Sequence, residues 1–219
     1  MAEKERKTMK GMFHDGLIMQ EWSSICGISV VPCPDIDRVK ISIVAKGTQG
    51  QDSTSHYIGI EDFRALCDDI LSPNEIALQR FKNDNKSDFP EAYVFNSGEQ
   101  KEDGKMDITS KCAFGAGKKG PAIQVNNRMN NGKWKNKLIG VRMKDLRTMA
   151  FHFKLVMGLI PVQPGTYYDG LIQAFYQGNA ERTEKYHKGN RPASNQEQGF
   201  EPAAGQANEG NPWAATNWN

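Results

Sequence analysis

At 219 residues, with 38% hydrophobic and 25% charged side chains, the chain is long enough for one ordinary domain and can bury a real core. Its 28 Lys+Arg against 26 Asp+Glu leave a formal charge of +2, too near neutral for a histone-like or polybasic protein. No apolar run approaches the roughly 18–20 residues that cross a bilayer, and MAEKERKTMKGMF is not followed by the hydrophobic stretch of a secretory signal. Cys26, Cys33, Cys67 and Cys112 are too few for a disulfide scaffold at this length. The expected location is a reducing cytoplasm, with no membrane association.

In chain order, residues 1–12 read as a flexible N-terminus. Strand-like segments follow near Gly16–Ser23, Gly27–Val31, Arg38–Lys46 and Thr54–Ile60. In the third, Val39, Ile41, Ile43 and Ala45 alternate with Lys40, Ser42 and Lys46. From Glu61, the spacing of Phe63, Leu66, Cys67, Ile70 and Leu71 predicts a helix that Ser72-Pro73 interrupts. Ile76, Leu78 and Phe81 suit a short continuation. The pattern then recurs, with strands predicted at Ala92–Asn96, Lys105–Phe114, Ala122–Asn130 and Lys133–Met143. A helix follows from about Lys144, carrying Leu146, Met149, Ala150, Phe153 and Met157 on one stripe and bounded by Pro161. The two strand-to-helix junctions are alike: Ile58-Gly59 leads to Asp62-Phe63-Arg64, and Ile139-Gly140 leads, two residues later, to Asp145-Leu146-Arg147. A third helix is predicted over Tyr167–Lys188. Of the 31 residues from Gly189 to Asn219, 22 are Asn, Gln, Gly, Ala or Pro and none is Leu, Ile or Val, so this tail is expected to be disordered. Phe200, Trp213 and Trp218 stand out in it, and NPWAATNWN suits a peptide that docks on a protein partner.

Charge is segregated. From Lys101 to Lys154 there are thirteen Lys/Arg and four acids; from Glu61 to Glu91, eight acids and four bases. A basic face on a nearly neutral molecule attracts polyanions. Met129-Asn130-Asn131-Gly132-Lys133-Trp134 points to a hairpin, since Asn-Gly favours a two-residue type I′ turn. That turn sets Arg128 opposite Lys135 and Asn126 opposite Lys137, placing Gln124, Asn126, Arg128, Lys133, Lys135 and Lys137 on one face. Like charges facing each other destabilise a sheet by up to about 1 kcal/mol, so such a face suits phosphate binding. Lys111, Lys118 and Lys119 add to the field. The loop Phe114-Gly115-Ala116-Gly117-Lys118-Lys119-Gly120 is no Walker A motif, because Cys112 stands where a Gly is required and Lys119 where Ser/Thr is.

Single strands are held by a basic groove with aromatics on which bases stack. Trp22, Tyr57, Tyr93, Phe114 and Trp134 are candidates, with Phe114 and Trp134 preferred for their neighbouring lysines. Little supports catalysis. His14, His56, His152 and His187 are scattered, and no CxxC, zincin, nucleophile-elbow or dinucleotide motif occurs. Asp35-Ile36-Asp37 has the spacing of a metal-binding pair, but after Pro32-Cys33-Pro34 it reads as a turn. No cofactor or metal is expected.

Four strands and a helix, twice, with like junctions and basic strands, resemble the Whirly architecture, which belongs with the single-strand-binding coactivator family related to positive cofactor four. The resemblance spans about Phe13–Ile160. It implies sheets that carry the nucleic-acid surface and helices that pack behind them and mediate assembly. The tail resembles those of bacterial and phage single-stranded DNA-binding proteins, without the acidic end of the bacterial ones, and a phage replication or recombination setting suits so short a chain.

The expected fold is α+β: antiparallel sheets from a duplicated ββββα unit (about 13–82 and 92–160) with helices on one side, inside one domain at 13–188, then a disordered tail at 189–219. The expected function is non-catalytic, largely sequence-independent binding of single-stranded DNA in replication, recombination or repair, with RNA as a further ligand and homo-oligomers allowed. The contact residues are Lys111, Phe114, Lys118, Lys119, Asn126, Arg128, Lys133, Trp134, Lys135 and Lys137. Alternatives are an OB barrel with the same ligand, an assembly protein binding an acidic partner, and a Mg²⁺-dependent nuclease using Asp35 and Asp37.

Overall fold

Alternation of apolar and polar residues builds two antiparallel meanders. The computed structural model describes residues 9–48, 51–73, 80–81 and 89–189, with backbone alone at 185–189. The first sheet runs β1 (Met19–Trp22), β2 (Cys26–Cys33), β3 (Arg38–Ala45) and β4 (Ser53–Gly59), in that spatial order. The second runs β5 (Glu91–Gln100), β6 (Met106–Gly117), β7 (Gly120–Arg128) and β8 (Trp134–Gly140), also in order. Each sheet leads into a helix, α2 (Ile60–Leu71) and α3 (Met143–Val156). Gly59 caps α2 directly, whereas Val141-Arg142 separate Gly140 from α3, which is the two-residue offset between the repeated junctions. The α+β class and the duplicated unit hold. The OB alternative is overturned, because the strands form two separate four-stranded sheets rather than one five-stranded barrel.

One core joins the two halves. Val39, Ile41 and Ile43 turn inward from β3, and Ile123, Val125 and Ile139 from β7 and β8. Phe63 of α2 meets Phe153 of α3 edge to face at 5.0 Å, so the equivalent helices of the two repeats pack on each other. Lys154 and Asp68 tie the same helices at their rim, 2.6 Å apart.

The N-terminal segment departs from expectation. Residues 9–12, assigned to a flexible end, begin helix α1 (Met9–His14), because Phe13 is fully buried between His152 and Phe175. Residues 1–8, the short helix expected around Ile76 and Leu78, and the tail from 190 lie outside the described residues. Helix α4 (Tyr167–Gly189) crosses α1 at Gly178, where an added Cβ would stand 1.6 Å from the His14 carbonyl oxygen. Gly178→Ala therefore forces α1 off its seat, and a loss of about 1–3 kcal/mol in denaturant unfolding is expected. Gly170→Ala on the same helix meets nothing within 4 Å and should raise stability by up to about 1 kcal/mol.

Candidate nucleic-acid interface

The β7–β8 turn fixes which side chains face solvent, and it differs from the expected one. Gly132 N–H donates to the Met129 carbonyl (2.8 Å) and Met129 N–H to that of Lys133 (2.8 Å). Gly132 has φ 78°, while Asn131 is not among the residues with positive φ. This is a type I turn closed by a glycine bulge, not the type I′ turn, and it shifts the pairing by one residue. Arg128 then faces Trp134, Asn126 faces Asn136 and Val125 faces Lys137. A one-residue slip exchanges the faces of a strand. Trp134 turns outward with Arg128, Asn126 and Gln124, while Lys135 and Lys137 turn to the side of Val125 and Asn127. The expected opposition of Arg128 and Lys135 does not exist.

Acids neutralise most of the cations expected to bind phosphate. Lys111 Nζ lies 2.7 Å from Glu91, and Arg128 makes two hydrogen bonds to Asp107, at 2.6 and 2.9 Å. The Arg128 guanidinium holds the Asp107 carboxyl below the usual carboxylate range. Lys135 (2.8 Å) and Lys137 both contact Asp52, whose hydrogen bonds to the two lysines depress its pKa. Lys118 and Lys119 fill the two-residue β6–β7 turn, and Lys133 lies in the β7–β8 turn; all three are exposed and make no ion pair with the described residues. The turns sit at opposite ends of β7, about 26 Å apart at roughly 3.3 Å per residue, so these lysines do not form one patch.

The expected stacking residues separate by burial. Phe114 is fully buried, edge to face with Phe95, which overturns its assignment as a base platform: on β6 it shares the inward face of Cys112. Tyr93 packs on Phe81 and donates its hydroxyl proton to Asp69 (2.8 Å). Trp22, Tyr57 and Trp134 remain 55%, 43% and 49% exposed. Trp22 lies flat over its cross-strand partner Gly27, whose added Cβ would stand 2.5 Å from the indole. Lys40 Nζ is 5.6 Å from the Tyr57 ring centroid.

Both outer faces carry a hydrogen-bonding row that crosses all four strands. On the first sheet it is Gln20, Ser29, Ser42 and Ser55, flanked by Trp22 and Tyr57. On the second it is Asn96, Lys111, Asn126 and Asn136, beside the exposed Val94, Leu138 and Trp134. Sequence reasoning missed the first of these rows. Its signal was the alternation of β3, whose polar partners Lys40 and Ser42 had to face outward.

A polar seam holds the sheets together. The Asn127 amide accepts from Ser55 N–H (3.0 Å) and donates to the Ser55 carbonyl (2.8 Å), satisfying the open edge of β4. Asn127→Leu leaves the Ser55 N–H unpaired and its carbonyl with only the long contact from Ser110 Oγ (3.5 Å), and a loss of about 1–3 kcal/mol in thermal or urea unfolding is expected. Beside it His56 is buried, with Nδ1 2.8 Å from Ser110 Oγ and Nε2 unpartnered among the described residues. Desolvation pulls its pKa down to about 4. Asp35 and Asp37 sit in a 3₁₀ turn (Pro34–Ile36), Asp37 at φ 53° with its N–H bonded to the Pro34 carbonyl.

No protein-family model and no curated protein matches the chain. Among solved structures it is similar to that of the plant transcriptional regulator PBF-2, with a TM-score of 0.41 and 10% identity, over 79% of this chain and 96% of that one.

Proposed function

We propose that the chain is a non-catalytic, largely sequence-independent single-stranded DNA-binding protein that lays the strand across the outer faces of its two sheets. The observation that carries this reading is the set of exposed aromatics on those faces, Trp22, Tyr57 and Trp134, beside cross-strand rows of hydroxyls and amides. Every base has a π-face, so aromatic platforms bind single strands with little regard to sequence, and a paired duplex hides those faces. Hydroxyls and amides at strand spacing supply hydrogen bonds to sugars and base edges. Lys40, Lys118, Lys119 and Lys133 supply the phosphate contacts.

Because so many other cations are already paired, stacking contributes more here than charge. The salt dependence should be shallow for a single-strand binder. With about 0.7 per phosphate neutralised, the four lysines give a slope of log K against log salt near −3 at most. Titration of oligo-dT at several salt concentrations, read by tryptophan quenching, tests this. Quenching without salt dependence, or a slope near −6, contradicts the assignment of contacts. The strand should also stay intact after prolonged incubation with Mg²⁺; its degradation would favour the nuclease alternative at Asp35 and Asp37.

A further inference from the structure

We propose that Lys135 and Lys137 form a binding site for a phosphodiester group, which the chain's own Asp52 occupies in the free protein. This deepens the single-strand reading and rests on it.

The two lysines stand at i and i+2 on β8, on the face whose next position is the buried Ile139. Alternation alone would place apolar side chains there. Instead two ammonium groups, 29% and 20% exposed, converge on one carboxylate, and each carboxylate oxygen takes one lysine. One carboxylate cannot neutralise two ammoniums, so the site keeps an excess positive charge. A partly exposed ion pair stabilises a fold by at most about 1 kcal/mol, a weak structural reason for this arrangement. A phosphodiester offers the same two-oxygen contact and the same single negative charge, and it suits the site equally well.

Position favours that exchange. Asp52 immediately precedes Ser53, which opens the edge strand β4, and Asn127 joins β4 to the second sheet at Ser55. Asp52 thus lies where β4 meets the second sheet, three residues before Ser55, the member of the Ser29–Ser42–Ser55 row on that strand. Release requires no opening of the β3–β4 loop, because the Asp52 carbonyl accepts from Ala45 N–H (2.9 Å) while its side chain rotates away. Asp52 thus acts as an internal competitor that sets how readily this seam accepts a backbone phosphate.

Three proteins test the proposal: the wild type, Asp52→Asn, and Asp52→Asn combined with Lys135→Met and Lys137→Met, each checked for folding by circular dichroism. Two probes are titrated, labelled oligo-dT and inorganic tripolyphosphate, which has no bases. Asp52→Asn should bind both at least about fivefold more tightly at low salt, and its oligo-dT slope should steepen by about 0.7 to 1.4. The two methionine substitutions should erase both gains. Unchanged or weaker binding of tripolyphosphate by Asp52→Asn overturns the proposal, whatever oligo-dT does. A gain for tripolyphosphate in a protein that ignores oligo-dT upholds the anion site and refutes the single-strand reading instead.

Discussion

Replacing Trp22, Tyr57 and Trp134 together by alanine should abolish single-strand binding while leaving the fold intact. Each stacked base contributes roughly 1–3 kcal/mol through its aromatic partner, so each single substitution should cost between about fivefold and 150-fold in affinity. The three rings lie on solvent-facing surfaces, where truncation typically changes stability by no more than about 0.5 kcal/mol. Trp22 should cost somewhat more, since its ring also covers Gly27. Phe114→Ala provides the opposite case. Its side chain is fully buried against Phe95, so it should lose about 3–5 kcal/mol of stability, with binding affected only through unfolding. Paired melting curves and oligo-dT titrations on these variants separate the two roles. Wild-type affinity in the triple variant would mean that the sheet faces do not bind bases.

Acid should weaken the protein well above the pH at which its exposed carboxylates protonate. His56 is buried between the sheets, and desolvation lowers its folded pKa from 6.5 to about 4. Between those values the unfolded chain takes up a proton that the folded chain refuses, so stability falls as pH drops from about 6.5 to about 4. The shift corresponds to about 3 kcal/mol when the window is fully crossed. For a chain of this size that is a fall of roughly 6–12 °C in Tm. His152, also desolvated but hydrogen-bonded to the Ile18 carbonyl, acts in the same direction. His56→Leu should flatten most of the pH dependence and leave the part due to His152. An identical Tm-against-pH curve in the variant would show that His56 does not carry the acid sensitivity.

The architecture was legible because burial imposes periodicity. Val39, Ile41 and Ile43 alternate since only one face of β3 meets the core, and Phe63, Leu66, Cys67 and Ile70 follow a helical stripe since only one face of α2 does. The interface was less legible. Asn131-Gly132 fits two turns that differ by one residue of register, and the glycine bulge moves Lys135 and Lys137 to the opposite face. Pairing Ile123 with Ile139, both apolar and both buried, was the signal for the true register. The charge count was correct, but charge alone says nothing of partners. Asp52 reaches lysines 83 and 85 residues away in sequence, and Asp107 and Glu91 neutralise Arg128 and Lys111 across strands. Only three dimensions place the exposed aromatics of the first sheet beside its serine row.

The proposed function requires that the open sheet faces hold unpaired bases. Fluorescence anisotropy of a labelled thirty-mer oligo-dT, titrated with protein at low and moderate salt and challenged with matched duplex, tests it most directly. Saturable binding that weakens modestly with salt and that duplex does not compete away is the expected result. Absence of binding at low salt, or equal competition by duplex, would contradict it.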